Sequence, residues 1–386
     1  MTLAAIGFWA CFGLIIYIYI GYPVVVFVLG SIVNRTVEKA SIEPRVTVVT
    51  AAFNEEQDIR ETVTNKLSQD YPPQRLDVIV VSDGSTDRTD EIVSQLAERS
   101  DGRLRLLRQE PRQGKTEALN TAVRQTSSEI VVFADANSIY LPDAIRTLIR
   151  SFADPNVGYV TGRMTYTNPA GTGFAEGSGT YMSYENVLRK LETRLGSIVG
   201  VDGGIDAIRR EFYVAMRPDQ LPDFVLPLSV VEQGRRVVYD PDAVVYEAGL
   251  SEATDEFRMR VRVSLRSLWA LYDKRGLLNP FRYPIFAWQL ASHKVLRYTA
   301  FLPLAGLLVF NVLAAGLHPF YAGFLVLQVA AYAFAALGHF LRHSPDTVSG
   351  LLFPYYFVVL NAACVVALWK FLTGQKMTLW KPRQGA

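Results

Sequence analysis

Hydrophobic and polar positions divide this chain into three stretches. Residues 4–33 are an almost uncharged apolar run, long enough to cross a bilayer as one helix. From about residue 45 to 166, short apolar runs alternate with amphipathic ones of helical period. Beyond residue 299, apolar character returns in three stretches, roughly 300–317, 320–341 and 351–372. The pattern predicts one membrane helix before a middle block and about three after it.

Within the middle block, the runs 46–51, 77–82, 104–108, 130–134 and 158–164 read as strands. Between them, 55–68, 87–99, 115–126 and 142–152 have helical character. This alternation predicts an α/β fold with a mostly parallel sheet and right-handed crossovers. A Gly-rich break from Pro169 to Gly179 leads to a helix over 181–195. A later helix has Thr254-Asp255-Glu256 as its start and Lys274-Arg275-Gly276 as its stop. Residues 281–298 mix Phe286, Trp288 and Val295 with His293, Lys294 and Arg297. They lack the apolar core of a span and read as a helix lying along the membrane surface. The expected division is a membrane helix (1–33), a cytoplasmic α/β block (34–276), an interfacial region (277–298), membrane helices (299–373) and a basic tail (374–386).

Composition narrows the function. A formal charge of only +2 over 386 residues gives no footprint for a nucleic-acid partner. The two cysteines, Cys11 and Cys364, both lie in apolar runs, so neither a disulfide framework nor a Cys/His metal site is expected. The start Met1-Thr2-Leu3 is not basic and the following run is too long for a cleaved signal, which predicts a retained anchor in the plasma (inner) membrane. Arg35, Lys39 and Arg45 after it favour a cytoplasmic middle block. Four spans would then put Lys370, Lys376, Lys381 and Arg383 outside. Either one late stretch is re-entrant, or the charge rule is broken.

The candidate chemistry sits at strand ends. Asp83 and Asp135 each follow an apolar strand, at the sheet edge where open α/β folds bind ligands. Acceptor-only carboxylates there suit a cation, a ribose or an amine-bearing base. A dinucleotide GxGxxG is missing after the first strand, where Thr50-Ala51-Ala52-Phe53-Asn54-Glu55 stands. Gly114-Lys115-Thr116 mimics the end of a P-loop, but Gln109 replaces the glycine that the pattern needs.

Four motifs in order resemble the family 2 glycosyltransferases, whose fold is GT-A, over roughly residues 45–269. They are Asn54-Glu55, Ser82-Asp83-Gly84-Ser85-Thr86-Asp87, Gly114-Lys115 with Ala118-Leu119-Asn120, and Asp135-Ala136-Asn137 at the DXD position. The resemblance implies that Thr50, Ala52, Asn54, Glu55, Asp83, Lys115 and Asp135 bind the nucleotide. It implies that Asp135 and Asn137 hold a divalent cation, Mg²⁺ or Mn²⁺. The catalytic base of such enzymes lies in a "TED" motif; here Leu221-Pro222-Asp223 occupies it, with Gly234 at the usual spacing beyond. Asp223 is the candidate, with Asp219 a nearby rival and helix N-capping the plain alternative.

Asp202-Gly203-Gly204, followed by Arg209-Arg210, resembles the family's acceptor-side segment. Its glycines would let an acceptor approach the backbone. Of the QxxRW motif of processive members, only Arg262 remains. As a helix, Arg258, Arg262 and Arg266 form one row, fit to clamp a diphosphate or to meet lipid headgroups. Trp269 would stack on a sugar or anchor at the interface. The late spans carry few polar residues, chiefly Asn311, Gln328 and Asn361, a thin lining for a polysaccharide path. The expected activity is transfer of a sugar, with inversion, from a nucleoside-diphosphate sugar (a UDP-sugar foremost) to a lipid-linked or glycan acceptor. A processive synthase is the alternative, and an inactive scaffold or sugar-nucleotide sensor a third.

Overall fold

The computed structural model describes residues 2–167, 173–247, 253–341 and 349–377. The first apolar run is helical throughout, as α1 (Leu3–Ile16), a π-helical turn (Tyr17–Gly21) and α2 (Tyr22–Val33). The α/β block follows: β1 (Val46–Ala52), α3 (Ile59–Leu67), β2 (Leu76–Ser82), α4 (Thr89–Ala97), β3 (Leu104–Arg108), α5 (Lys115–Arg124) and β4 (Ile130–Ala134). Then come β5 (Ile139–Tyr140), α6 (Ala144–Ile149), β6 (Val157–Tyr166), α7 (Gly173–Leu195), β7 (Ile205–Arg209), α8 (Pro222–Glu232), β8 (Arg236–Glu247) and α9 (Ala253–Asp273). The last part holds α10 (Pro284–Leu290), a π-helical segment (Ala291–Val295), α11 (Leu296–Tyr298), α12 (Phe301–Ala314), α13 (Pro319–Leu341) and α14 (Ser349–Leu372).

The described strands form one eight-stranded sheet in the order β3-β2-β1-β4-β7-β6-β8-β5. Strands β3, β2, β1 and β4 are parallel neighbours. The far half is mixed: β7 runs antiparallel to β4 and β6, while β6 and β8 are parallel. The alternating apolar pattern registers the crossovers but not the antiparallel return of β7. Every residue of β1 is buried, because apolar clusters cover both faces of the sheet.

Three local expectations need correction. The helix expected over 142–152 is shorter, since α6 gives way to a 3₁₀ turn at Arg150–Ala153. The helix expected from residue 181 already begins at Gly173, so the Gly-rich stretch continues into α7. Asp223 is not an N-cap: α8 begins at Pro222, a favoured first position, with Leu221 as its cap. The first part of the Gly-rich break, and the whole tail after residue 377, lie outside the described residues.

Among the described residues, three helices are long and apolar enough to cross a membrane: Leu3–Val33, Pro319–Leu341 and Leu352–Leu372. A bent pair, Pro284–Tyr298 with Phe301–Ala314, makes a fourth if its 61° kink belongs to one span. The first limb of that pair is part of the core, for Phe286 and Leu290 join the apolar cluster beneath α8.

Candidate active site

The C-terminal edges of β1, β2 and β4 lie level, with Ala52 beside Ser82 and Thr50 beside Ala134. Thr50 and Ala52 themselves are buried inside β1, so only backbone is available there. Loops after these strands are tied together. Asn54 takes a left-handed φ of 56°, and its Oδ1 accepts from the Thr86 amide at 2.8 Å. The Glu55 amide donates to Thr89 Oγ1 at 2.9 Å.

Asp83 is fully buried. Its carboxylate accepts from Gln109 Nε2 (2.8 Å), the Gln113 amide (2.7 Å) and the Gly114 amide (3.0 Å), and pairs with Arg112 at 3.1 Å. The Asp83 carboxylate thus folds the loop that starts α5. Arg112 in turn lies 3.4 Å from the centre of the Phe53 ring. Lys115, in the first turn of α5, meets Asp135 Oδ1 at 2.5 Å. Burial works against its charge, but Asp135 and then Asp223 prevail, and its pKa stands above the usual lysine range.

The acceptor-side loop lies opposite. Gly203 and Gly204 have φ of 85° and 73°, left-handed values that favour glycine. A Cβ on Gly203 would lie 3.1 Å from Asp223 Oδ2, and one on Gly204 2.6 Å from Glu247 Oε1. The bare backbone therefore admits two carboxylates, one on each glycine. Asp223 is half-buried and makes no ion pair among the described residues, whereas its rival Asp219 pairs with Lys376 (2.6 Å) and Arg217 (3.2 Å). Burial raises the Asp223 pKa, Lys115 opposes this, and Asp135 adds to it.

Asp202 is engaged by α7. Both its oxygens are held by the buried guanidinium of Arg189 on α7, which also donates to the Gly200 carbonyl at 3.3 Å. Arg266 is likewise buried, bound to the Gln220 carbonyl and to Thr116 Oγ1 at 3.1 Å. These bonds brace the loop before Asp223. Trp269 donates its indole N–H to the Gln375 carbonyl at 2.9 Å and packs on Phe371. Arg258 and Arg262 stand on the same helix, exposed and half-buried respectively.

Lys66, Glu247 and Asp206 carry no motif, and sequence reasoning missed them. Asp206 is buried on β7, and burial, then Asp223, raises its pKa far above the carboxylate range. Lys66 is fully buried under the Asp135–Asn137 turn, bonded to the Ser138 carbonyl (2.5 Å) and Asn65 Oδ1 (3.2 Å), and 3.8 Å from the Tyr140 ring centre. Tyr140 in turn donates to the Gly204 carbonyl at 2.8 Å, linking the two loops. The signal that could have found Lys66 is a lysine on the inward face of a helix between two strands.

Burial lowers the Lys66 pKa to about 7, against the pull of Glu247 and Asp135. An unfolded lysine keeps its proton to about pH 10.4. Between those values the unfolded chain binds more protons, so this residue's contribution to stability rises with pH. The Tm of the detergent-solubilised protein, minus that of Lys66→Met, should therefore climb from pH 7 to pH 10; a flat difference would refute it.

Residues 47–215 match the family described as Glycosyl transferase family 2. The chain carries a family 2 glycosyltransferase domain. It is similar to the poly-beta-1,6-N-acetyl-D-glucosamine synthase of Staphylococcus aureus, 25% identical over 62% of this chain and 59% of that protein. It is also similar to the beta-monoglucosyldiacylglycerol synthase of Synechocystis, 32% identical over 44% of this chain and 35% of that protein. The chain thus spans less than two thirds of the length of these relatives. Among solved structures, the mannosyltransferase PcManGT from Pyrobaculum calidifontis, in complex with GDP-Man and Mn²⁺, superposes with a TM-score of 0.72 at 24% identity, over 96% of this chain and 97% of that one. That likeness shows the fold, a GT-A sheet with its flanking helices.

Proposed function

We propose that this protein is an inverting glycosyltransferase that moves a sugar from a nucleoside-diphosphate sugar, foremost a UDP-sugar, to a lipid-linked or glycan acceptor at the membrane. The observation that carries the reading is Asp223, a carboxylate without an ion pair among the described residues. It is seated against the bare Gly203 backbone and within electrostatic reach of Lys115 and Asp135. As the acceptor hydroxyl attacks the sugar's C1, the bond from C1 to the diphosphate oxygen breaks and Asp223 takes the hydroxyl proton. Lys115 stabilises the negative charge gathering on the leaving diphosphate.

Asp135 and Asn137, two residues apart on one turn, offer a carboxylate and an amide carbonyl. One or two such ligands suffice for a cation held largely by substrate phosphates. The donor set therefore fits Mg²⁺ or Mn²⁺, and the GDP-Man and Mn²⁺ of PcManGT support it. Such a cation, when bound, would neutralise diphosphate charge. The ammonium of Lys115 now on Asp135 would then pass to the phosphates. Basic residues Arg35, Lys39 and Arg45 support a cytosolic position for the domain in the inner membrane.

A second reading is a processive polysaccharide synthase, favoured by the similarity to the poly-N-acetylglucosamine synthase. Purified protein, offered UDP-, GDP- and dTDP-sugars with Mg²⁺, Mn²⁺ or EDTA and membrane lipid as acceptor, should release nucleotide from one donor. Product length separates the two readings. Asp135→Asn should weaken metal-dependent donor binding by roughly tenfold or more. No release from any donor, with intact UDP binding, would favour an inactive sensor or scaffold.

A further inference from the structure

The apolar helices do not all have the same setting. The C-terminal end of the first helix belongs to the catalytic side, because α2 packs on α7 with Tyr22 Oη donating to Glu192 at 2.5 Å, and the Arg35 amide donates to the Arg194 carbonyl at 2.8 Å. The N-terminal end of α1 therefore points away from the catalytic domain. Helix α12 starts on the catalytic side, where Arg297 pairs with Glu185 of α7. It then runs antiparallel to α1: Gly306 abuts Cys11, and one turn later Phe310 abuts Gly7. The turn into α13 lies at the far end, where Phe320 stacks on Trp9 at 5.6 Å and Tyr321 Oη accepts from the Trp9 indole at 3.2 Å. Aromatic residues of this kind mark a membrane–water boundary. Helix α13 then returns.

Helix α14 is different. It lies side by side with α9, from Arg260 Nη2 donating to Tyr356 Oη (2.8 Å), through Ser264 beside Cys364 Sγ (3.9 Å), to Trp269 against Phe371 (4.6 Å). Helix α9 belongs to the catalytic domain and carries Arg258, Arg260, Arg262 and Arg266, a row too costly to lie in hydrocarbon. The chain after α14 stays there too: Gln375 accepts from Trp269, and Lys376 pairs with Asp219. Both ends of α14 that can be followed are thus on the catalytic side. Its other face is apolar and exposed, with Phe353, Val365, Trp369 and Leu372.

We propose that the chain crosses the membrane three times, through α1, α12 and α13, and that α14 lies in the plane of the membrane surface on the catalytic side, its outward face seated at the headgroup–acyl boundary of the bilayer. The occupant is lipid because that face is continuous with the crossing helices and has no charge between Phe353 and Trp369. An odd number of crossings puts Lys370 and Lys376 on the same side as Arg35 and Lys39, as the charge rule asks. The surface helix also seats α9, and through Arg266 the loop before Asp223, at a fixed height above the lipid.

Full-length protein in sealed vesicles tests this. Single cysteines at Glu98, His318 and Met377, in a Cys11→Ser, Cys364→Ser background, are labelled with a membrane-impermeant maleimide. Glu98→Cys and Met377→Cys should react from one side and His318→Cys from the other. If Met377→Cys instead reacts with His318→Cys, α14 crosses and the proposal fails. A nitroxide at Val365→Cys should report a depth about 5–10 Å below the headgroups; a position at the bilayer midplane overturns the in-plane placement even where the labelling agrees.

Discussion

Asp223→Asn lowers nucleotide release by about 10²–10⁴-fold, the usual worth of a positioned general base, and leaves donor binding within about twofold, because both side chains have nearly the same volume. Steady-state rates and calorimetric donor binding measure the two effects separately. The geometry makes the expectation specific. Asp219, the other carboxylate in this segment, is spent on Lys376 and Arg217, so it cannot replace the lost base. The raised pKa of Asp223, caused first by burial, also sets the sign of the pH dependence. A general base works in its ionised form, so in the proposed role activity should fall as pH drops through a value above the ordinary carboxylate range. The acid limb should move back toward that range when Asp135, which raises the Asp223 pKa, is replaced by Asn. A limb that stays put in Asp135→Asn, or a variant Asp223→Asn that keeps its rate, removes Asp223 from the role.

Arg189→Met is expected to destabilise the protein by about 3–5 kcal/mol, the cost of breaking a buried ion pair by removing one partner. The side chains of Arg189 and Asp202 are only 4% and 10% exposed, so the stranded carboxylate has little water to turn to. Arg189→Met with Asp202→Asn should recover much of the loss, since no uncompensated charge remains. Thermal unfolding of the four proteins in one detergent reads the cycle. The loop over residues 200–203 then loses its anchor in both variants, so turnover should stay low in the double variant even where the Tm returns. Equal recovery of rate and Tm would make the pair a matter of stability alone.

Much of this protein was legible in the order of its residues. The four parallel strands and the crossover helices follow from period and strand length, which are local properties. The turns bearing Asn54, Asp83, Lys115 and Asp135 follow from strand ends, because the edge of a parallel sheet is reached wherever an apolar run stops. The family is legible for the same reason, its motifs being short and contiguous. Roles within the site were less so. A motif does not show which groups of its own chain a carboxylate holds: Asp83 takes the Gln113 and Gly114 amides, and Asp202 takes Arg189. Arg266 and Trp269 had partners from distant segments, Gln220 and Gln375, which no spacing within α9 could announce.

The sequence by itself determined the elements, the sheet edge where the candidate site lies, and the presence of helices apolar enough for a membrane, since each depends on neighbours within a few residues. Only the tertiary structure decided which carboxylates are spent on ion pairs, why Gly203 and Gly204 are bare, and that Lys66 lies under the Asp135 turn. It also decided that the last apolar helix runs beside α9. These are contacts between residues tens to hundreds of positions apart, and hydropathy counts what a helix can bury without saying against what.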